Sequence, residues 1–313
     1  MQKNNRSIKQ GDKLLKMPGK LDRGPVDFKS HIADQEGEVM AFATQSVVSV
    51  PPTMTILGAV DAMTRCGFRR LPVVDPGSRK LRGIITSGDI INFMGGGDKF
   101  NLVLGKHGGN LIAAVNDSVR EIMTQQLTTI PHTASINDVI EIIVGKKIGG
   151  IPILRDNDEI AGIVTERDVM KLFAGDNSPL AVEDVMSTDL RVVEPDATIG
   201  TVTKEMTRHR FRRLPVVSGD VLFGIITTAD IMRYLGSRKV FSQMETGQVS
   251  EVMDMPIRGL VPGNLFTVGP NRNVNEAARE MLIHNVGALP VIENTRLIGL
   301  VTEHDLVKAF ARR

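Results

Sequence analysis

The sequence predicts an α/β fold made of four small repeats, each reading strand, helix, strand, strand, helix. Three observations carry this. An apolar run with a central Pro occurs four times, as Leu71-Pro72-Val73-Val74, Ile151-Pro152-Ile153-Leu154, Leu214-Pro215-Val216-Val217 and Leu289-Pro290-Val291-Ile292. Each Pro is followed 9–11 residues later by Gly-apolar-apolar-Thr-x-x-Asp, at Gly83 to Asp89, Gly162 to Asp168, Gly224 to Asp230 and Gly299 to Asp305. Upstream, apolar residues recur at i, i+3, i+7: Ile56, Ala59, Met63; Ile136, Val139, Ile143; Ile199, Val202, Met206; Val274, Ala277, Met281. That spacing is one face of a helix.

Each element follows in order. The leading segments, such as Val47-Val48-Ser49-Val50 and Arg191-Val192-Val193, are β-rich and end at Pro51-Pro52, Pro131, Pro195 and Pro270. They predict a first strand. Thr55, Ser135, Thr198 and Asn273 precede the helical face and suit the N-cap, where a side-chain oxygen accepts an orphan N–H. The Pro run and the Gly segment then predict two strands. Only the turn between them varies in length, and Asp75-Pro76-Gly77, Asp156-Asn157-Asp158 and Ser218-Gly219-Asp220 supply turn residues. The closing helix starts at the Thr and carries Ile90-Ile91, Val169-Met170, Ile231-Met232 and Leu306-Val307.

A longer period overlies the short one. The first and third repeats share Phe-Arg-Arg-Leu-Pro-Val-Val, at Phe68 to Val74 and Phe211 to Val217. The second and fourth share a small pair, Gly149-Gly150 and Gly287-Ala288, and the runs Thr165-Glu166-Arg167-Asp168 and Thr302-Glu303-His304-Asp305. Related connectors follow the odd repeats, Phe93 to Phe100 and Tyr234 to Phe241. The pattern is a duplicated two-repeat module. A unit of ~60 residues buries too little alone, so pairing is expected. The expected divisions are a basic tail at 1–37, repeats at 38–99, 119–178, 179–240 and 241–313, and a connector at 100–118. The tail, with Lys3, Arg6, Lys13, Lys16 and Lys20, reads as a solvated flexible arm or as a docking arm for an acidic partner.

Composition narrows the function. Of 313 residues, 38 are Lys or Arg and 36 Asp or Glu, a formal charge of +2, which gives no general case for nucleic acid or membranes. One cysteine excludes a disulfide framework or a cysteine-rich zinc site. The six His show no metal spacing, and Trp is absent, which disfavours base-stacking platforms. No apolar stretch approaches a membrane span or a signal peptide, so a soluble cytoplasmic protein is expected.

The four in-register motifs resemble the CBS domain family, whose tandem pairs are called Bateman modules. The four-repeat arrangement is similar to the nucleotide-sensing gamma subunit of AMP-activated protein kinase, and the connector Phe93 to Asn101 adds to the likeness. The resemblance spans about residues 38–313. It implies two modules stacked into a disc, with nucleotide clefts between paired repeats.

Thr-x-x-Asp reads in two compatible ways. As a capping box, Thr86, Thr165, Thr227 and Thr302 start the helices and the acid completes the cap. As a binding site, the short carboxylates of Asp89, Asp168, Asp230 and Asp305 accept ribose hydroxyls, while the Thr hydroxyls and helix N–H groups meet phosphate. The resemblance implies the same roles. Arg69-Arg70 and Arg212-Arg213 stand at the mouths of core strands, where a planar guanidinium suits phosphate. Inter-module salt bridges are the competing reading. The resemblance assigns phosphate to Arg70 and Arg213, and places Arg69 and Arg212 where that family uses His. Arg167 and His304 match a further basic phosphate position. Gly149, Gly150, Gly287 and Ala288 read as a helix-to-strand turn or as room for adenine, and the resemblance favours adenine. Gly95-Gly96-Gly97 reads as a helix cap and hinge, and Cys66 as a packing residue.

The expected function is a non-catalytic, allosteric energy sensor whose regulatory ligands are AMP, ADP or ATP. No base, nucleophile or metal cluster supports an enzyme. S-adenosylmethionine or a related adenosyl ligand is the alternative, and nucleic-acid binding a further one. A regulated protein partner is expected, and self-association is open.

Overall fold

The computed structural model describes residues 37–175, 178–219 and 221–311. The basic tail with Lys3, Arg6, Lys13, Lys16 and Lys20 lies outside the described residues.

The repeat elements, numbered in chain order, are α1 (Ile56–Cys66), β1 (Arg70–Val74), β2 (Leu81–Thr86) and α2 (Ser87–Ile91), then β3 (Ile130–Pro131), α3 (Ile136–Lys146), β4 (Gly150–Leu154), β5 (Ile160–Thr165) and α4 (Glu166–Phe173). The second module supplies α5 (Ile199–His209), β6 (Arg213–Ser218), β7 (Val221–Thr227) and α6 (Thr228–Gly236), then α7 (Val274–Ile283), β8 (Ala288–Glu293), β9 (Arg296–Thr302) and α8 (Glu303–Phe310). Each Pro strand pairs antiparallel with the Gly strand, in one register: Pro72 faces Ile84, Pro152 Ile163, Pro215 Ile225 and Pro290 Leu300.

The predicted helical faces are the buried faces. Eleven of the twelve residues named for α1, α3, α5 and α7 are buried, and Ile136 is half-buried. Thr55, Ser135, Thr198 and Asn273 all accept a backbone N–H from the first turn of their helix. Their absence would leave orphan donors at helix starts packed near the core. Glycines and left-handed residues end these helices, as at Gly67 with φ of 67°.

The leading strands are shorter than predicted. Val50, Val193 and Val268 make single parallel bridges to the Pro strands, and only β3 reaches two residues. The prolines that follow remove donors and stop the ladder. The residues before the bridge do other work. They cross to the partner repeat, where Thr44 pairs with Ile163, Thr124 with Ile84 and Ser187 with Leu300.

That crossing explains the Gly of each Gly-x-x-Thr-x-x-Asp segment. A Cβ on Gly83 would stand 2.9 Å from the Thr124 carbonyl oxygen, and one on Gly162 or Gly299 would stand 3.2 Å from that of Thr44 or Ser187. At Gly224 the near neighbour is instead a side chain, with a Cβ 2.4 Å from Val261 Cγ1 and 3.8 Å from the Pro262 carbonyl oxygen. The two repeats of each module are therefore laced together through two glycine seats.

The modules pack repeat 1 on repeat 3 and repeat 2 on repeat 4. One core joins Ile56, Val60, Ile90 and Phe93 to Ile231, Met232 and Leu235. α8 lies on α4 at the other end. The triple glycine is more than a helix cap. Gly95 has φ of 151°, and a Cβ on Gly96 would stand 2.6 Å from the Thr203 carbonyl oxygen in α5. It is where the first module's backbone meets the second. Cys66, expected in the core, is exposed at the end of α1. Among the described residues no helix is long and apolar enough to cross a membrane.

The glycine seats predict a contrast. Gly83→Ala should lower unfolding stability by about 1–3 kcal/mol, because the crossing backbone cannot retreat. Gly77→Ala should stay within about 0.5 kcal/mol, since it lies in an exposed turn. Denaturant unfolding of both checks this; equal midpoints would refute the close approach as the reason for the glycine.

Candidate functional site

Each closing helix begins with the same built unit. Asp168 Oδ2 accepts the Thr165 backbone N–H at 3.0 Å and the Thr165 hydroxyl at 2.7 Å. Asp89, Asp230 and Asp305 do the same with Thr86, Thr227 and Thr302. The Thr oxygen in turn accepts the Asp N–H. The capping box is thus present in all four repeats, and it settles the geometry of the pair. Oδ2 is committed to the cap, so Oδ1 is the oxygen left to face a ligand. A hydroxyl has one hydrogen, and the cap uses it. Phosphate contact by Thr86, Thr165, Thr227 or Thr302 as a donor would require that bond to break.

The four Oδ1 atoms differ in setting. Asp168 and Asp230 line one cavity of about 730 Å³ that runs between the modules. Asp168 Oδ1 lies 3.4 Å from Lys171, and Asp230 Oδ1 lies 2.8 Å from Arg233. Both cations are over half exposed, so these pairs are screened and weak. Asp89 is held by Lys99 and by the Thr124 hydroxyl at 3.2 Å, and it is not among the residues lining the cavity. Asp305 is not among them either, and burial pushes its carboxyl above the usual range.

The four predicted arginines line this cavity together, and two carboxylates that sequence reasoning left without a role bond Arg69 and Arg212. Glu166 and Glu303 are each 1% exposed. Glu303 accepts from Arg69 at 2.7 Å and from Arg167 at 2.7 Å. Glu166 accepts from Arg212 at 2.9 Å, and His304 Nδ1 lies 3.1 Å from it. The arrangement has a pseudo-twofold: each glutamate reaches an odd-repeat Arg of the other module and the basic residue of the other even repeat. For Arg69, Arg212, Arg167 and His304 the inter-module salt bridge is therefore realised. Arg167 also donates to the Val286 carbonyl at 2.8 Å.

Among the described residues no carboxylate is bonded to Arg70 or Arg213. They donate to the carbonyls of Gly149 and Gly287 within their own modules. Burial, then the neighbouring arginine charges, pushes both guanidinium groups below the usual range. Arg212 Nη1 is buried and has no hydrogen-bond partner among the described residues. Five guanidinium groups thus share two carboxylates, and the centre carries excess positive charge.

The small pairs are explained by these arginines. A Cβ on Gly149 would stand 2.5 Å from Arg212 Nη1 and 2.6 Å from Arg70 Nη2, and one on Gly287 would stand 2.8 Å from Arg213 Nη2. Gly150 lies against Arg70 likewise. Of the residues predicted for adenine, Gly287 and Ala288 line the cavity, while Gly149 and Gly150 are not among its lining residues. Apolar residues that the sequence reading did not assign to the site, Val48, Phe68, Leu265 and Phe266, line the same cavity as Asp168 and Asp230. Their signal is faint, because each sits at a loop edge where an apolar residue has no period.

The site's electrostatics predict an acid limb. Burial alone would raise the Glu166 carboxyl, but the His304 hydrogen bond and the Arg212 charge outweigh it and hold the group at about 2. A depressed folded pKa stabilises the protein above the unfolded value, about 4.3, and the gain is lost as pH falls toward about 2. Glu166→Gln should therefore destabilise by about 3 kcal/mol at neutral pH. The gap from the parent protein should close as pH falls through that window. Unfolding midpoints from pH 7 to acid check this, and a constant gap would contradict it.

A model of the CBS domain family matches residues 37–96, 119–175, 182–237 and 249–312, most of the chain. The uncharacterized protein MJ1225 of Methanocaldococcus jannaschii is 40% identical over 269 residues, 85% of this chain and 96% of the relative. Its crystal structure, presented as that of a proposed archaeal homologue of γ-AMPK, superposes with a TM-score of 0.83 over 87% of this chain and 99% of that one. An uncharacterized 33.4 kDa protein from the ribosomal RNA operon of Thermofilum pendens is 28% identical over 84% of this chain and 87% of its own length. A conserved protein from Pyrococcus horikoshii, 17% identical with a TM-score of 0.55 over 86% of this chain and 98% of its own, shares the fold. With four repeats in register and this match along nearly its whole described length, the chain belongs to the CBS domain family.

Proposed function

We propose that the protein is a non-catalytic sensor of adenine nucleotides, with AMP, ADP and ATP competing for the inter-module cavity. One observation carries the reading. The cavity holds two capped aspartates, each with Oδ1 restrained only by a mostly exposed cation, beside a centre that has more guanidinium than carboxylate. A ribose hydroxyl donates readily to such an oxygen, and phosphate supplies the missing negative charge. Asp168 and Asp230 would hold ribose. Arg70 and Arg213, with the unspent Nη1 of Arg212, would hold phosphate. Arg69, Arg167 and His304 would contribute by releasing part of their hold on the glutamates. Val48 and Phe68, or Leu265 and Phe266, would flank the base, with Gly287 and Ala288 at its edge.

The likeness to a protein presented as a γ-AMPK homologue supports a nucleotide over other anions. A sulfonium ligand such as S-adenosylmethionine is itself cationic and meets an uncompensated positive centre, which disfavours it. Nucleotide-dependent shape would be read by a partner protein, and coupling requires that the partner prefer one liganded state. A formal charge of +2 gives no general case for nucleic acid.

Calorimetric titration of stripped protein tests the reading. AMP, ADP or ATP should bind, and S-adenosylmethionine should bind weaker. Arg70→Ala or Arg213→Ala should cost about 1.5–3 kcal/mol of binding, the worth of a hydrogen bond to a charged group. Asp168→Ala and Asp230→Ala should each weaken one class of site. Tighter binding of S-adenosylmethionine, or arginine variants with unchanged affinity, would overturn the proposal.

A further inference from the structure

We propose that Lys99 is a built-in counter-ion that closes the Asp89 cleft, so that the two modules differ in which carboxylates they offer to a ligand. The ligand in this inference rests on the nucleotide reading; the closure does not.

Asp89 and Asp230 occupy equivalent positions in the duplication, and their Oδ2 atoms make the same cap. Asp89 Oδ2 lies 2.8 Å from Thr86 N and 2.6 Å from Thr86 Oγ1. Asp230 Oδ2 lies 2.9 Å and 2.6 Å from the corresponding Thr227 atoms. The difference is at Oδ1. Asp89 Oδ1 receives the Lys99 ammonium and the Thr124 hydroxyl. The side chains of Lys99 and Asp89 are only 20% and 10% exposed. Such a pair, with a second donor on the same oxygen, is far less screened than a surface bridge.

Two substitutions in the duplicated register produce the contrast. The connector Phe93 to Phe100 matches Tyr234 to Phe241, so Lys99 falls on Val240, which is buried in the core. The crossing segment that holds Thr124 against Gly83 matches the one that holds Val261 and Pro262 near Gly224, so Thr124 falls on Pro262. Neither Val240 nor Pro262 has a side-chain donor. Asp230 Oδ1 is left with Arg233, whose side chain is 62% exposed, and it opens on the cavity.

Lys99 is also held in place. Its backbone N–H donates to Asn92 Oδ1 at 2.8 Å, and Asn92 Nδ2 donates to Asp98 Oδ1 at 2.7 Å. The turn that carries the ammonium is fixed by its own side chains, independently of Asp89. A ribose hydroxyl seeking Asp89 Oδ1 would have to displace a fixed ammonium and a hydroxyl together.

Two measurements on the full chain test this. The first needs no nucleotide. Acylation by an amine-reactive ester, mapped by peptide mass spectrometry, should be at least about tenfold slower at Lys99 than at the exposed Lys80, as an ion pair largely out of water requires. Asp89→Asn should abolish that protection. Equal rates at Lys99 and Lys80, or protection that survives Asp89→Asn, would overturn the closure. The second uses AMP, with stoichiometry read by calorimetry and native mass spectrometry. Lys99→Met keeps the stem, removes the charge, and should add one further AMP per chain. An unchanged or lower AMP count in a folded Lys99→Met protein would overturn the gating role, a lower count marking Lys99 as a ligand contact instead. If the parent protein binds no AMP, the nucleotide reading fails, while the acylation rates still decide the closure.

Discussion

The centre of the molecule depends on two glutamates that sit in a crowd of arginines. Glu166 and Glu303 are buried, and each bonds two basic residues of the other module. Without them, five guanidinium groups would face one another at the mouths of two strands and the start of one helix. A buried ion pair is seldom a source of net stability relative to an apolar core, but removing one partner is costly. The glutamates therefore act as registration pins. They fix which face of one module meets the other, and they leave a deficit of negative charge that a bound anion can fill.

The repeat architecture was legible because its signals are local. The i, i+3, i+7 faces, the caps at Thr55, Ser135, Thr198 and Asn273 and the capping boxes need only a few neighbouring residues. At Arg69, Arg70, Arg212 and Arg213 the sequence shows a need for anionic partners, phosphate or inter-module carboxylates, while the convergence of the four is visible only in the fold. What the sequence hid is long-range. Glu166 and Glu303 differ from the Ser87 and Thr228 of the odd repeats, which was the available clue, since those two hydroxyls meet each other at 3.0 Å across the same interface. The residue after each Thr always faces the other module, and its identity follows its partner there. Lys99 on Asp89 was hidden for another reason: a lysine in a connector carries no period, and its target is chosen by a turn.

The small pairs show how one sequence signal can have a sufficient cause different from the first one offered. Gly149, Gly150 and Gly287 admit arginine side chains, whatever else they admit. Room for a guanidinium and room for a base are not rivals at Gly287 and Ala288, which also line the cavity.

The glycine seats and the glutamate pins bear on how the chain emerges during synthesis. Thr44 must wait for Ile163 before its backbone is paired, so a lone first repeat has an unfinished edge, and the module is the smallest piece that can close. The delay is longer at the centre. Arg69 is bonded to a glutamate 234 residues downstream, within the last helix. A nascent first module thus holds Arg69, Arg70 and Arg167 against Glu166 alone until that helix has been made. In that interval the half-made centre keeps an excess of positive charge, open to an acidic neighbour. The final helix does more than complete a repeat, because it neutralises a charge exposed since the first one.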